Sequence, residues 1–373
     1  LIPVVDTLLV ATRKGLITAR RAKGGWDIDD EVPFLGDPVS IVMHDPRDGA
    51  DYAALEHGHF GVKLHRRDAG GEWQEIAVPA YPEKPEGLVD ENPANREDVN
   101  WSLIKIWSLS SAGPDRADAL WCGTLPGGLF HSADRGDSWQ LVESLWSDER
   151  RREWFGGGAD HPGIHSICVD ARDSDRVTLG VSCGGAWVTA DGGQSWDVRS
   201  KGMVANFVPP EEAHNPNIQD PHCIVQCRDA PDVLWTQHHN GIWRTIDACD
   251  NWDEITTAEP SNFGFPVAVH PGDPDTAWFV PSVRDDQRYP TGGRVVVSRT
   301  RDGGGSFEVL SNGLPQRHAY DLVYRHALDI DESGMTMAFG STTGSLWVSD
   351  DQGDSWTTVG EHLPPVYCVR FGG

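Results

Sequence analysis

No run of apolar residues in this chain approaches the roughly 18 needed to cross a bilayer as a helix, so a helical membrane span is not expected. Basic residues are scarce: 31 Lys and Arg face 57 Asp and Glu, a formal charge of −26. Such an acidic surface repels phosphate backbones and anionic lipid, which argues against nucleic acid and membrane as partners. No Cys-x-x-Cys pair occurs, and seven cysteines is an odd number; Cys168, Cys223 and Cys368 fall in apolar strand-like runs, as small buried residues do in a reducing compartment. The start, Leu1-Ile-Pro-Val-Val-Asp, lacks the basic-then-apolar pattern of a secretory leader. A cytoplasmic location is therefore expected, with a secreted or periplasmic one left open by a first residue that is not Met.

What is present is a repeat. Ser132-Ala-Asp-Arg-Gly-Asp-Ser-Trp139 returns as Thr189-Ala-Asp-Gly-Gly-Gln-Ser-Trp196, as Thr245-Ile-Asp-Ala-Cys-Asp-Asn-Trp252, as Thr300-Arg-Asp-Gly-Gly-Gly-Ser-Phe307 and as Ser349-Asp-Asp-Gln-Gly-Asp-Ser-Trp356. A carboxylate at the third position can accept backbone N–H bonds in a tight turn, and Gly at the fifth permits positive φ. The closing aromatic opens the next strand as an apolar plug. Two worn copies close at Trp26 and Trp73, and the seven aromatics are spaced 47 to 66 residues apart. That is the period of a four-stranded blade with its loops.

The expected fold is therefore all-β: a seven-bladed β-propeller of four-stranded blades filling residues 1–373 as one domain. First strands of blades two to seven are expected at Val39–Met43, Ser102–Trp107, His165–Val169, His222–Gln226, Phe265–Val269 and Tyr320–Tyr324. Val366–Phe371 has the same pattern but no blade after it, while Leu8–Thr12 opens the chain as a second strand. The C-terminal strand should complete the N-terminal blade, closing the ring and removing two sheet edges.

The frame Ser/Thr-x-Asp-x-Gly-x-Ser/Thr-Trp resembles the Asp-box, or bacterial neuraminidase (BNR) repeat, of sialidase-like β-propellers, which are often labelled glycosyl hydrolase-like. The resemblance implies the fold; similar repeats occur in sialidases, xyloglucan-cleaving glycosidases, sorting receptors and a photosystem assembly factor, so enzymes and binders share it. Sialidases are usually six-bladed, with an Arg-Ile-Pro segment, an arginine triad and a Tyr activated by Glu. Here the count is seven and Arg-Ile-Pro is absent.

Connections are long at Val78 to Asn100, Glu143 to Gly163, Ser200 to Pro221 and Val283 to Gly293. In a propeller these loops share one face around the channel, and the Asp turns lie on the other. Histidines gather at the long-loop rim: His57, His59, His165, His222, His238, His239 and His318. The sequence names no cofactor, but His57, His59, His222, His238 and His318 could hold a divalent metal ion, with acid–base or structural roles as the alternatives. Asp160, after three glycines, Glu56 beside His57, and Asp220 before His222 are candidate catalytic carboxylates, with His165 as a partner. Arg13, Lys105, Arg284 and Arg288 would make the mouth attractive to an anion, and Trp101, Trp154 and Tyr320 offer ring faces. Together these imply an enzyme, glycoside hydrolase-like or polysaccharide-lyase-like, acting on a small, anionic, sugar-like ligand. The competing reading is a non-catalytic binding or assembly propeller.

Overall fold

The computed structural model describes residues 6–157 and 159–372. Seven four-stranded antiparallel sheets follow one another along the chain, each ordered from channel to rim as its strands occur in sequence. The exception is the first. There the innermost strand is Val366–Gly372, paired antiparallel with Thr7–Thr12, so the two ends of the chain share a blade. The other innermost strands are Val39–Asp45, Lys105–Ser111, Gly163–Val169, Pro221–Gln226, Phe263–His270 and Leu328–Ile330.

Two of these differ from expectation. The third blade begins at Lys105 rather than Ser102, and the seventh blade's first strand is Leu328–Ile330 rather than Tyr320–Tyr324. Residues 320–324 instead sit in the connecting loop, where Leu322 and Val323 are buried and Tyr320 is exposed. An apolar alternation there met the core without finding a strand to pair with, because Gly340 and Ser341 turn back to bond Ala327 and Ser345.

The repeated turns behave as their residues dictate. In each, one carboxylate oxygen accepts the backbone N–H four positions on, as Asp134 does from Ser138 at 2.8 Å and Asp191 from Ser195 at 2.9 Å. The other oxygen accepts the Ser138 or Ser195 hydroxyl at 2.6 Å. Both the fourth and the fifth residue take positive φ, including Arg135, Ala248, Cys249 and Gln352. Two of the closing indoles tie blades together: Trp139 Nε1 donates to the Ala77 carbonyl at 3.1 Å and Trp252 Nε1 to that of Arg199 at 2.9 Å. Apolar side chains fill the space between successive sheets, with Trp121, Trp187, Trp235 and Trp278 fully enclosed.

Candidate functional site

All seven innermost strands line a central cavity of about 370 Å³. At its long-loop end, where the fifth blade begins, three groups converge. Asp220 precedes the strand Pro221–Gln226, His222 is its second residue, and His239 follows the neighbouring strand Leu234–His238 in a tight turn. Successive residues on an extended strand face opposite ways, so His238 points into the core and His239 outward. His238 is wholly buried, with the Asp220 N–H 3.0 Å from Nε2 and the Asn240 N–H 3.1 Å from Nδ1, of which the neutral ring accepts one. Burial lowers it to about 3, and it remains neutral.

Asp220 is itself buried. Its Oδ1 accepts the Cys183 N–H at 3.1 Å and the Ser182 hydroxyl at 3.3 Å, while Oδ2 lies 3.6 Å from His222 Nε2 and 3.5 Å from His239 Nδ1. Burial alone would raise this carboxyl, but His222 and His239 outweigh it and hold it well below the usual range. Burial pushes His222 down despite Asp220. His239 reaches solvent; burial opposes its charge, yet Asp220 and Asp285 together raise it. Its Nε2 lies 3.4 Å from Asp285. Beside the cluster, Arg325 Nε donates to the His222 carbonyl at 2.7 Å, and its guanidinium lies 4.6 Å from the Trp107 ring centroid. Among the described residues it pairs with no carboxylate.

Above His239 opens a cavity of about 320 Å³ lined by Asn206, Asn240, Asn262, Phe207, Phe263, Arg284 and Asp285. Carboxamides that donate and accept, next to two ring faces, are the lining that hydroxyl-rich rings require.

Other candidates lie apart from this cluster. Glu56 pairs with Lys105 at 3.0 Å on the far side of the mouth, with Lys105 over the Tyr367 ring. Asp160 is exposed, and its carbonyl accepts from Asn92 at 2.7 Å. His165 is buried, Nδ1 2.9 Å from the Ser166 hydroxyl and its ring edge-on to Trp107. His57 lies 3.7 Å from Asp37, His59 rests on Phe60, and His318 is exposed, so the rim imidazoles do not form one set. Arg13 is exposed; Arg284 pairs with Asp286 at 2.6 Å; Arg288 Nε donates to the Asp285 carbonyl at 2.8 Å. Trp154 is enclosed against Trp187 and offers no free face. Trp101 donates its indole N–H to Asp90 at 2.9 Å and packs edge-on to Trp146. Tyr320 projects from its loop into solvent. Asp285, Arg325, Ser182 and Cys183 carried no signal in the sequence: each acquires its place only when separate blades meet.

Fold and site together define a seven-bladed β-propeller with a buried Asp–His cluster at the mouth of its channel. No family model matches the chain. It is 23% identical over 296 residues to the oligoxyloglucan-reducing end-specific xyloglucanase of Emericella nidulans, covering 70% of this chain and 33% of that protein. The chain thus spans about a third of the length of the curated relatives it matches. Among solved structures, an ancestral GH74 enzyme superposes with a TM-score of 0.59 at 15% identity, over 87% of this chain and 38% of that one. YCF48 bound to D1 peptide superposes with a TM-score of 0.50 at 13% identity, over 94% and 92%. At these identities the structural likeness is one of fold.

Proposed function

We propose that this propeller is a glycoside hydrolase-like enzyme acting on carbohydrate, and that the cavity over His239 is its site. The observation that carries the reading is a single juxtaposition. A solvent-reaching imidazole lies between two carboxylates, Asp220 and Asp285, at the base of a cavity lined by asparagines and phenylalanines. His239 and Asp285 are the proton-transfer groups, and buried Asp220 orients the ring. Arg284, which lines this cavity, favours a ligand bearing a carboxylate. The similarity to a xyloglucanase supports a carbohydrate substrate.

The test is hydrolysis of a panel of neutral and uronate-bearing oligosaccharides, xyloglucan fragments included, followed by release of reducing ends. His239→Ala and Asp285→Asn should each lower kcat by about 100-fold or more with the fold intact. Turnover of no glycan in the panel, together with no calorimetric binding, would overturn the reading.

A second reading, a non-catalytic binding propeller, is favoured by one observation. Leu35, Phe60, Val89, Ile104, Phe207 and Tyr320 are exposed large apolar residues, and all lie in long-loop-face connections. On that reading Phe60→Asp and Phe207→Asp would abolish partner capture, while His239→Ala would leave it unchanged.

A further inference from the structure

We propose that Asp220 Oδ2, His222 Nε2 and His239 Nδ1 bind one divalent first-row transition-metal ion. The inference rests on the reading above for which pocket is functional; with the ion bound, His239 and Asp220 serve as ligands and proton transfer falls to Asp285.

His222 Nδ1 lies 2.7 Å from the Gly264 carbonyl, which can only accept, so the N–H of a neutral His222 is on Nδ1. Its Nε2 therefore turns a lone pair toward Asp220 Oδ2 at 3.6 Å. His239 has a carboxylate at each nitrogen, Asp285 3.4 Å from Nε2 and Asp220 Oδ2 3.5 Å from Nδ1, and with its N–H on Nε2 the Nδ1 lone pair faces the same oxygen as that of His222. Three electron pairs thus point at one small space. Without a cation among them they repel.

The surroundings match those of a metal centre. Each imidazole has its outer nitrogen on a carbonyl or carboxylate, the arrangement that fixes the tautomer of ligating histidines. Asp220 Oδ1 is already committed to Cys183 N–H and the Ser182 hydroxyl, so Oδ2 alone is free to ligate. The three donor atoms lie within 4.8 Å of one another. Tetrahedral bonds of about 2.0–2.1 Å would set donors roughly 3.4 Å apart, close to two of the separations here. Gly157 keeps the approach open, since a Cβ there would stand 3.0 Å from Asp220 Oδ2. Two nitrogens and one oxygen suit zinc and its first-row neighbours better than calcium or magnesium. The only other cation that could fill the space is a proton, making His239 an imidazolium bridging Asp220 and Asp285.

Calorimetry separates the two. Protein stripped with chelator and dialysed is titrated with Zn²⁺ at pH 7, and about one equivalent should bind. His239→Ala and His222→Gln should each weaken binding by about 100-fold or more, and Asp285→Asn, one shell out, by about 10-fold. His59→Ala and His318→Ala control for stray surface histidines and should change nothing. Circular dichroism checks each variant; should buried His222→Gln fail to fold, solvent-reaching His239→Ala decides alone. The proposal is overturned if His239→Ala binds Zn²⁺ as wild type does. It is equally overturned if ¹⁵N NMR shows both His239 nitrogens protonated in the presence of equimolar Zn²⁺. Neither readout uses a glycan, so loss of the carbohydrate reading and loss of the metal site are told apart.

Discussion

Val10 and Val369, from opposite ends of the chain, stand directly opposite each other in one antiparallel ladder, both without solvent exposure. That pairing is what makes seven sheets a ring. An open propeller would present unpaired backbone on Thr7–Thr12 and on Val366–Gly372.

Deletion of residues 366–372 should therefore abolish cooperative unfolding rather than trim one edge. Val369→Ala keeps the ladder and loses only buried methyls, so it should cost roughly 2 kcal/mol with the denaturant slope unchanged. A truncated chain that melts as sharply as the full one would show that ring closure is dispensable.

The long loops are anchored by charge. Arg151 Nη2 meets Asp90 Oδ2 at 3.0 Å with both side chains nearly free of solvent, Arg151 Nε donates to the Trp146 carbonyl, and Trp101 donates to the same carboxylate. Asp90→Ala leaves a buried guanidinium without its counter-charge and should cost about 3–5 kcal/mol. Arg151→Met combined with Asp90→Leu should recover most of that. Chemical denaturation of the single and double variants gives the comparison.

Acid should unlock the repeated turns. The Ser195 hydroxyl and backbone N–H hold Asp191 at about 2, and the equivalent serine hydroxyls lower Asp134 and Asp302. A carboxyl depressed in the folded state stabilises fully above its ordinary value of about 3.9 and loses that contribution as pH falls toward the folded value. Melting temperature should thus drop between pH 4 and pH 2, and Asp191→Asn should flatten the drop. An unchanged slope in that variant would remove these turns from the acid response.

Three of the repeated turns carry residues that their geometry disfavours, and Ala248 is the smallest of them. Ala248 adopts φ 55°, a left-handed conformation that glycine adopts without a Cβ penalty. Ala248→Gly should raise stability by about 0.5–1 kcal/mol, the relief of that strain exceeding glycine's entropy cost. A shift of the denaturation midpoint to higher concentration would confirm it.

How far the residues themselves reached depended on distance along the chain. The Asp turns were legible because all their bonds close within about five residues: a carboxylate, a hydroxyl and two left-handed positions suffice to specify them. Ring closure was legible too, as an unpaired first-strand pattern at the C-terminus. The blade-seven strand was misplaced because apolar residues 322 and 323 pack into the core from a loop, and period alone does not separate that from pairing.

By itself, then, the sequence determined seven modules, their turns, the shared blade and the face on which long connections gather, since each follows from local chemistry and its repetition. Only the tertiary structure decided which imidazole of the His238–His239 pair turns outward. It also decided that Asp220 meets His239 rather than Asp160 or Glu56, and that Arg325 and Asp285 join them. Those choices depend on strand register and on the angle between neighbouring blades, where one residue of slip reverses every side chain.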